Sequence, residues 1–110
     1  MPYNPKQGDI ITLDFDPQAG HEQKGRRPCL IVSNDQFHKR TTMAMVCPIT
    51  NKTSGFPTHI PLDDRTQTSG VIMGEQAKCL DIFARNPSYK ESLPNDILED
   101  IIDLICSFIE

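Results

Sequence analysis

The apolar residues of this chain change period at Ser92, and that one change limits the folds open to it. From Leu93 to Ile109 they recur at steps of four. Ile97, Ile101, Ile105 and Ile109 are joined by Leu98, Ile102, Leu104 and Phe108, while Asn95, Asp96, Glu99, Asp100 and Asp103 take the opposite side. A stripe of that width predicts one amphipathic helix over 93–109, with Pro94 in its first turn and early acids facing the positive end of the helix dipole. Before Ser92 the apolar runs are short and alternate. Ile11, Leu13 and Phe15 oppose Thr12, Asp14 and Asp16; Met43, Met45, Cys47 and Ile49 oppose Ala44, Val46, Pro48 and Thr50; Thr58, Ile60 and Leu62 alternate once more. Period-two runs of this length are half-buried strands. Cys29 to Val32 is apolar throughout, as in a strand covered on both faces. Val71–Met73 and Ala77–Leu80 read as strand pieces around a kink at 74–76, with Gly74 a candidate bulge, and 34–42, 51–57 and 63–70 read as polar loops. The expected fold is mainly β (β+α): a small β-barrel with a C-terminal helix packed on it.

A chain of 110 residues suits a single domain over 1–110 whose limited burial makes a homodimer a natural way to cover apolar surface. Its 37% hydrophobic and 24% charged residues are those of a soluble protein. No apolar run approaches the ~20 residues that cross a bilayer, and the polar start MPYNPKQGD lacks a signal-peptide core, so no membrane partner and a cytoplasmic location are expected. Cys29, Cys47, Cys79 and Cys106 form no CxxC pair and have no histidine at ligand spacing. They are expected to be buried, reduced thiols, with no metal site. The net charge of −4 conceals an uneven distribution: Pro17 to Leu62 carries a local +4, and Glu91 to Glu110 carries −6 with no base. A locally positive face on an acidic protein can hold a phosphate backbone, although ordinary surface charge gives the same count.

The positive stretch centres on Ala19 to Ser33, AGHEQKGRRPCLIVS, where a charged loop runs into an apolar strand. Gly20 and Gly25 bracket His21, Glu22, Gln23 and Lys24; Arg26 and Arg27 follow, and Pro28 fixes the exit direction. A residue before proline is pushed to an extended conformation, so Arg27 is expected to be the last loop residue, at the mouth of the strand 29–32. Thr50 ends the strand 43–50. If the two strands are antiparallel neighbours, Thr50 comes close to Arg27.

The segments GDIITLDFDP (8–17), GHEQKGRRP (20–28), PIT (48–50) and EQAKCLD (75–81) resemble, in order and spacing, the MazF/PemK/Kid family of toxin endoribonucleases from type II toxin–antitoxin systems. The resemblance spans nearly the whole chain. It implies an SH3-like or CcdB-like barrel that dimerises and cuts single-stranded RNA at a short sequence without a metal or other cofactor. The ribose 2′-hydroxyl attacks its own phosphate, leaving a 2′,3′-cyclic phosphate and a 5′-hydroxyl. Translation stops unless an antitoxin covers the RNA groove with a disordered acidic tail.

Such chemistry needs a proton acceptor, a proton donor and a stabiliser of the extra negative charge. In the resembled family the residues matching Arg27 and Thr50 are the principal catalytic pair. A guanidinium holds two phosphate oxygens at once, and a threonine hydroxyl donates a further hydrogen bond. The residues alone also allow an ion pair of Arg27 with Glu22 and a turn role for Thr50. His21 matches a histidine of the PemK/Kid branch and titrates in the right range, or is a solvated loop histidine. That branch has an Arg and an Asp where this chain has Met73 and Glu75, while His38 and His59 match nothing catalytic. Glu22, Gln23, Lys24, Asn51, Lys52, Gln76 and Lys78 are candidates for contacting bases and phosphates. Phe56 either stacks on an unpaired base or anchors its loop in the core.

Two other readings remain at this point. CcdB gyrase poisons share the fold and act by contact, but they are expected to carry a tryptophan in the C-terminal helix, and this chain has none. An interaction-only barrel without activity is the blandest reading.

Overall fold

The computed structural model describes residues 3–15, 25–52 and 55–110. Seven strands, β1 (Asp9–Phe15), β2 (Gly25–Ile31), β3 (Ala44–Thr50), β4 (His59–Pro61), β5 (Val71–Met73), β6 (Lys78–Leu80) and β7 (Ser88–Ser92), are joined by helices α1 (Asp35–Arg40) and α2 (Asn95–Ser107). Short 3₁₀ turns occupy Gly74–Gln76 and Ile82–Arg85. All pairings are antiparallel, in the order β4-β5-β3-β2-β1-β7, with β6 also on β3. On its outer side β3 changes partner along its length: Ala44–Val46 pair with β6, Ile49 and Thr50 with β5. Pro48, which has no N–H to donate, sits at that change.

Both faces of the sheet are covered, which is why its central strands are apolar at adjacent positions. Ile10, Leu30, Val32, Cys47, Ile49 and Ile72 pack against Leu93, Ile97 and Ile101 of the α2 segment. The alternate residues Ile11, Leu13, Phe15, Cys29, Ile31, Ala44 and Val46 pack around Ile82. Full burial of a side chain such as Ile101, 0% exposed, contributes about 2 kcal/mol. The mainly β architecture with a C-terminal helix is thus the one expected, but several local readings need correction. Residues 35–40 are helical, not loop: the Asn34 carboxamide accepts from the Phe37 N–H at 3.0 Å and caps a helix too short to show a period. β7, SYKES, went unread because it is a polar edge strand, held by its pairing with β1. Gly74 is no bulge. It opens a 3₁₀ turn, and its N–H donates to the Thr58 carbonyl at 3.0 Å. The apolar stripe of α2 outruns the sheet, leaving Phe108 and Ile109 exposed. Cys29 and Cys47 are buried as expected, and burial pushes both thiols up to about 12, whereas Cys79 and Cys106 are exposed.

The loop 63–70 is tied down at two points. Arg65 bridges Asp63 and Asp96, at 2.8 and 3.0 Å. Glu91 accepts from the Gln67 N–H, the Thr68 N–H and the Thr68 hydroxyl. Burial pushes the Glu91 carboxyl up, but the hydrogen bonds from Thr68 and Gln67 outweigh it and hold it below the ordinary range. A depressed carboxyl stabilises above its unfolded pKa and loses that contribution as pH falls through the folded value. Glu91→Gln is therefore expected to melt below wild type at neutral pH, with the difference closing once the pH drops below roughly 4. Thermal melts of both proteins across that range check it; a constant difference would mean that the carboxylate charge contributes nothing.

Candidate functional site

Two strands bring the candidate residues together. The β2–β3 ladder pairs Ile31 with Val46, Leu30 with Cys47 and Cys29 with Pro48. Extended by two residues, this register sets Thr50 opposite Arg27. Alternation puts Arg27 on the face of Cys29 and Ile31, and Thr50 on the matching face of Ala44 and Val46. Arg27 is not the last loop residue: β2 begins at Gly25, and Arg27 lies across from Leu13 of β1. The ladder with β1 extends to Phe15 and Gly25, and this pairing carries the strand past Pro28 into the charged segment. Arg27 is exposed and Thr50 half-buried. Lys78 is cross-strand from Val46, with its ammonium 5.5 Å above the Phe15 ring centroid. Arg27 and Thr50 therefore edge one end of the sheet face, and Lys78 holds a second cation over Phe15 of β1, whose partner Gly25 lies two residues before Arg27, an arrangement suited to a phosphodiester.

Arg26 has a different fate. It falls on the other side of β2, donates to Asp14 at 2.9 Å and to the Ser88 hydroxyl at 2.7 Å, and so ties β1, β2 and β7 together. Thr50 is held firmly. Its hydroxyl accepts from the Lys52 N–H at 3.2 Å, which leaves its own proton to be donated elsewhere. The Ser69 hydroxyl donates to the Asn51 carboxamide oxygen at 2.9 Å. Gly70, at φ +115°, passes so close that a Cβ there would lie 2.3 Å from the Thr50 carbonyl oxygen. Nearby, the Cys29 thiol is pushed up by burial against the weaker pull of Lys78, so it stays protonated at neutral pH and is no nucleophile.

Of the other sequence candidates, His21, Glu22, Gln23 and Lys24 lie outside the described residues. Asn51 and Lys52 are exposed directly after Thr50, Gln76 is half-buried in its 3₁₀ turn, and Lys78 is exposed. Phe56 is 55% exposed and leans on the His59 ring, centroids 5.1 Å apart, so it is not a core anchor. Sequence reasoning passed over Thr58, His59 and Glu75 as a group. The Thr58 hydroxyl donates to Glu75 Oε1 at 2.8 Å, and His59 Nε2 lies 2.9 Å from Glu75 Oε2. Burial pushes the Glu75 carboxyl up, and the hydrogen bonds from Thr58 and His59 hold it below its ordinary range. The signal available beforehand was parity: if Ile60 and Leu62 face the α2 core, His59 faces the other way. Among the described residues no group of three or more His, Cys, Asp or Glu could hold a metal, and no helix is long and apolar enough to cross a membrane.

Residues 6–109 match the model of the PemK-like, MazF-like toxin of type II toxin–antitoxin systems. The chain is 32% identical to the endoribonuclease PemK of Escherichia coli over 110 residues, covering 94% of this chain and 81% of the relative. It is 32% identical to the endoribonuclease toxin MazF of Escherichia coli (strain K12), covering 88% and 86%. A crystal structure of MazF from Deinococcus radiodurans superposes with a TM-score of 0.88 at 32% identity, covering 98% of each chain. A MazE–MazF structure from the same organism gives 0.87 at 32% identity, covering 98% and 97%.

Proposed function

The chain belongs to the PemK-like, MazF-like toxin family, and from that premise we propose the chemistry, site and partners of its endoribonuclease activity. It is a toxin that cuts single-stranded messenger RNA by transesterification. The 2′-oxygen of one ribose bonds to the adjacent phosphorus, and the P–O5′ bond breaks. The 2′ proton passes to a base and a proton is delivered to the departing 5′-oxygen, which leaves a 2′,3′-cyclic phosphate and a 5′-hydroxyl. Arg27 holds two non-bridging oxygens as charge accumulates, Thr50 donates its free hydroxyl proton to the same group, and Lys78 neutralises the backbone beside it. His21, the histidine nearest Arg27 in sequence, is the candidate proton carrier. Glu22, Gln23 and Lys24, which precede Arg27 in sequence, and Asn51 and Lys52, which follow Thr50, serve as substrate contacts, with Gln76 two residues before Lys78. The register that, extended by two residues, sets Thr50 opposite Arg27 on one face carries this reading, because it brings together two residues 23 positions apart.

The partners follow the same chemistry. Like the MazF of the MazE–MazF structure, the toxin is held by an antitoxin; a disordered acidic tail suits the cationic edge at Arg27 and Lys78. The working form is a cytoplasmic homodimer. No observation on this chain favours gyrase poisoning over RNA cleavage. The test uses purified, antitoxin-free protein, EDTA and a single-stranded RNA with a mapped cut site. Cutting is expected to persist in EDTA, to end in a cyclic phosphate, and to stop when the ribose at the cut site is 2′-deoxy. Cleavage of the deoxy substrate at the same bond would overturn the 2′-attack, and failure to cut any RNA would overturn the endoribonuclease reading.

A further inference from the structure

On the β4–β5 side of the sheet, one buried polar atom has no partner among the described residues: Nδ1 of His59. The His59 side chain is only 8% exposed, and its Nε2 lies 2.9 Å from a Glu75 oxygen. A carboxylate has no proton to give, so Nε2 carries the hydrogen, and in that tautomer Nδ1 is an acceptor. Buried acceptors in native proteins are nearly always satisfied, and one that is not calls for an explanation. Its orientation is fixed from behind, because Glu75 is itself anchored by the Thr58 hydroxyl at 2.8 Å. The Phe56 ring packs against the imidazole, tilted 46° to it, and is more than half exposed to solvent.

Sheet register relates this atom to the candidate cleavage site. Val71 pairs with Thr50, Met73 pairs with His59, and residues 71 and 73 share a face. Thr50 and His59 therefore rise from the same face two strands apart, with Cα atoms about 12 Å apart by strand spacing and rise. That is the range of a neighbouring nucleotide, not of the reacting phosphate. Accepting the endoribonuclease reading above, we propose that His59 and Phe56 form a base-reading subsite for a nucleotide flanking the cut. Phe56 stacks on the base, and His59 Nδ1 accepts from an exocyclic amino group, selecting adenine, cytosine or guanine over uracil.

Chemistry makes the selection directional. An acceptor held by a carboxylate behind it cannot turn into a donor by rotating the ring, since that would face the second nitrogen's lone pair to the carboxylate. A base with an amino group on its pairing edge satisfies Nδ1, whereas the one donor of uracil, its imino N–H, is flanked by two carbonyl oxygens whose lone pairs repel that of Nδ1 and weaken the bond. Stacking on Phe56 is available to every base and supplies affinity without choice.

The test uses RNAs with one fixed cleaved dinucleotide and each of the four bases at each flanking position, with wild type, His59→Phe and Phe56→Ala. His59→Phe keeps an aromatic ring in place and removes the Nδ1 acceptor together with the Nε2–H that meets Glu75. Wild type is expected to prefer amino-bearing bases over uracil by roughly fivefold at one flanking position. His59→Phe is expected to bring the four rates within about twofold of one another. Phe56→Ala is expected to lower all four by about fivefold or more. A structural role for His59 would lower every rate in His59→Phe alike, and that result, or an unchanged preference, overturns the proposal. Binding of the 2′-deoxy versions, with deoxyuridine for uridine, reads the same preference without chemistry. If wild type cuts nothing yet binds with this preference, the nuclease reading falls and the subsite stands; binding without preference removes the subsite.

Discussion

Arg27→Ala is expected to slow RNA cleavage by about 10²- to 10³-fold while leaving the fold intact. The size follows from what the guanidinium does in the proposed reaction. It meets a group whose negative charge grows as the 2′-oxygen attacks, from a fixed strand position that needs no reorganisation at that moment. Arg27 is exposed at the end of β2, so its loss is expected to change stability by no more than about 0.5 kcal/mol. Arg27→Lys keeps the charge and loses the two-pronged geometry, and should recover only part of the rate. Thr50→Val removes one neutral donor and is expected to cost about 10-fold. The informative control is Arg26→Ala, one residue earlier and the same change in net charge. Arg26 faces away, with Asp14 and Ser88, so its loss should leave cleavage within about threefold of wild type, a surface-sized effect. Single-turnover rates under saturating enzyme separate these cases. Equal losses for Arg26→Ala and Arg27→Ala would mean that general positive charge, not a placed guanidinium, drives the reaction.

That contrast between adjacent arginines also marks what the sequence made legible. Short-range pattern was enough to locate the apolar strands and the amphipathic helix, because burial enforces period two or 3.6 wherever one face meets a core. It placed Thr50 at a strand end and, with antiparallel pairing, beside the Arg27 segment, an arrangement that the Cys29–Pro48 pair bears out. Pattern failed where structure is held by something other than apolar burial. β2 continues back to Gly25 through backbone pairing with Asp14 and Phe15, an extension that the apolar run alone does not mark. β7 is held by β1 and by its polar edge. α1 rests on the Asn34 cap. The Thr58–His59–Glu75 cluster escaped notice for a further reason: Glu75 lies 17 and 16 residues from Thr58 and His59 and meets them only through the β4–β5 pairing and the turn at 74–76. Non-local polar contacts of this kind carry no periodicity, so single-sequence reading has nothing to detect.

Gly70→Ala is expected to be the most damaging change at any glycine in the described structure, at about 3 kcal/mol of stability, and to weaken cleavage as well. Two effects combine at that position. Its φ of +115° is strained for any residue with a Cβ, and the added carbon would stand 2.3 Å from the Thr50 carbonyl oxygen and 2.8 Å from its carbon. Neither neighbour is the end of a flexible side chain. Relief requires the β3 end or the 69–70 segment to shift, and Leu62 N–H donates to the Gly70 carbonyl at 2.9 Å on the other side. Gly55 separates the two effects. Its φ is +73°, yet a Cβ there meets nothing within 4 Å, so Gly55→Ala should carry only the strain, about 1 kcal/mol. Gly74→Ala meets the Leu104 Cδ2 at 3.0 Å and the Thr58 carbonyl at 3.1 Å with an ordinary φ, and should fall between the two. Urea unfolding of the three variants gives the order directly. If Gly70→Ala matches Gly55→Ala, the close approach to Thr50 does not constrain the backbone. If it is the least stable of the three, as expected, its cleavage rate at a temperature where it remains folded tests the link to function: displacing the Thr50 carbonyl moves the hydroxyl on the same residue, so the rate should drop toward that of Thr50→Val.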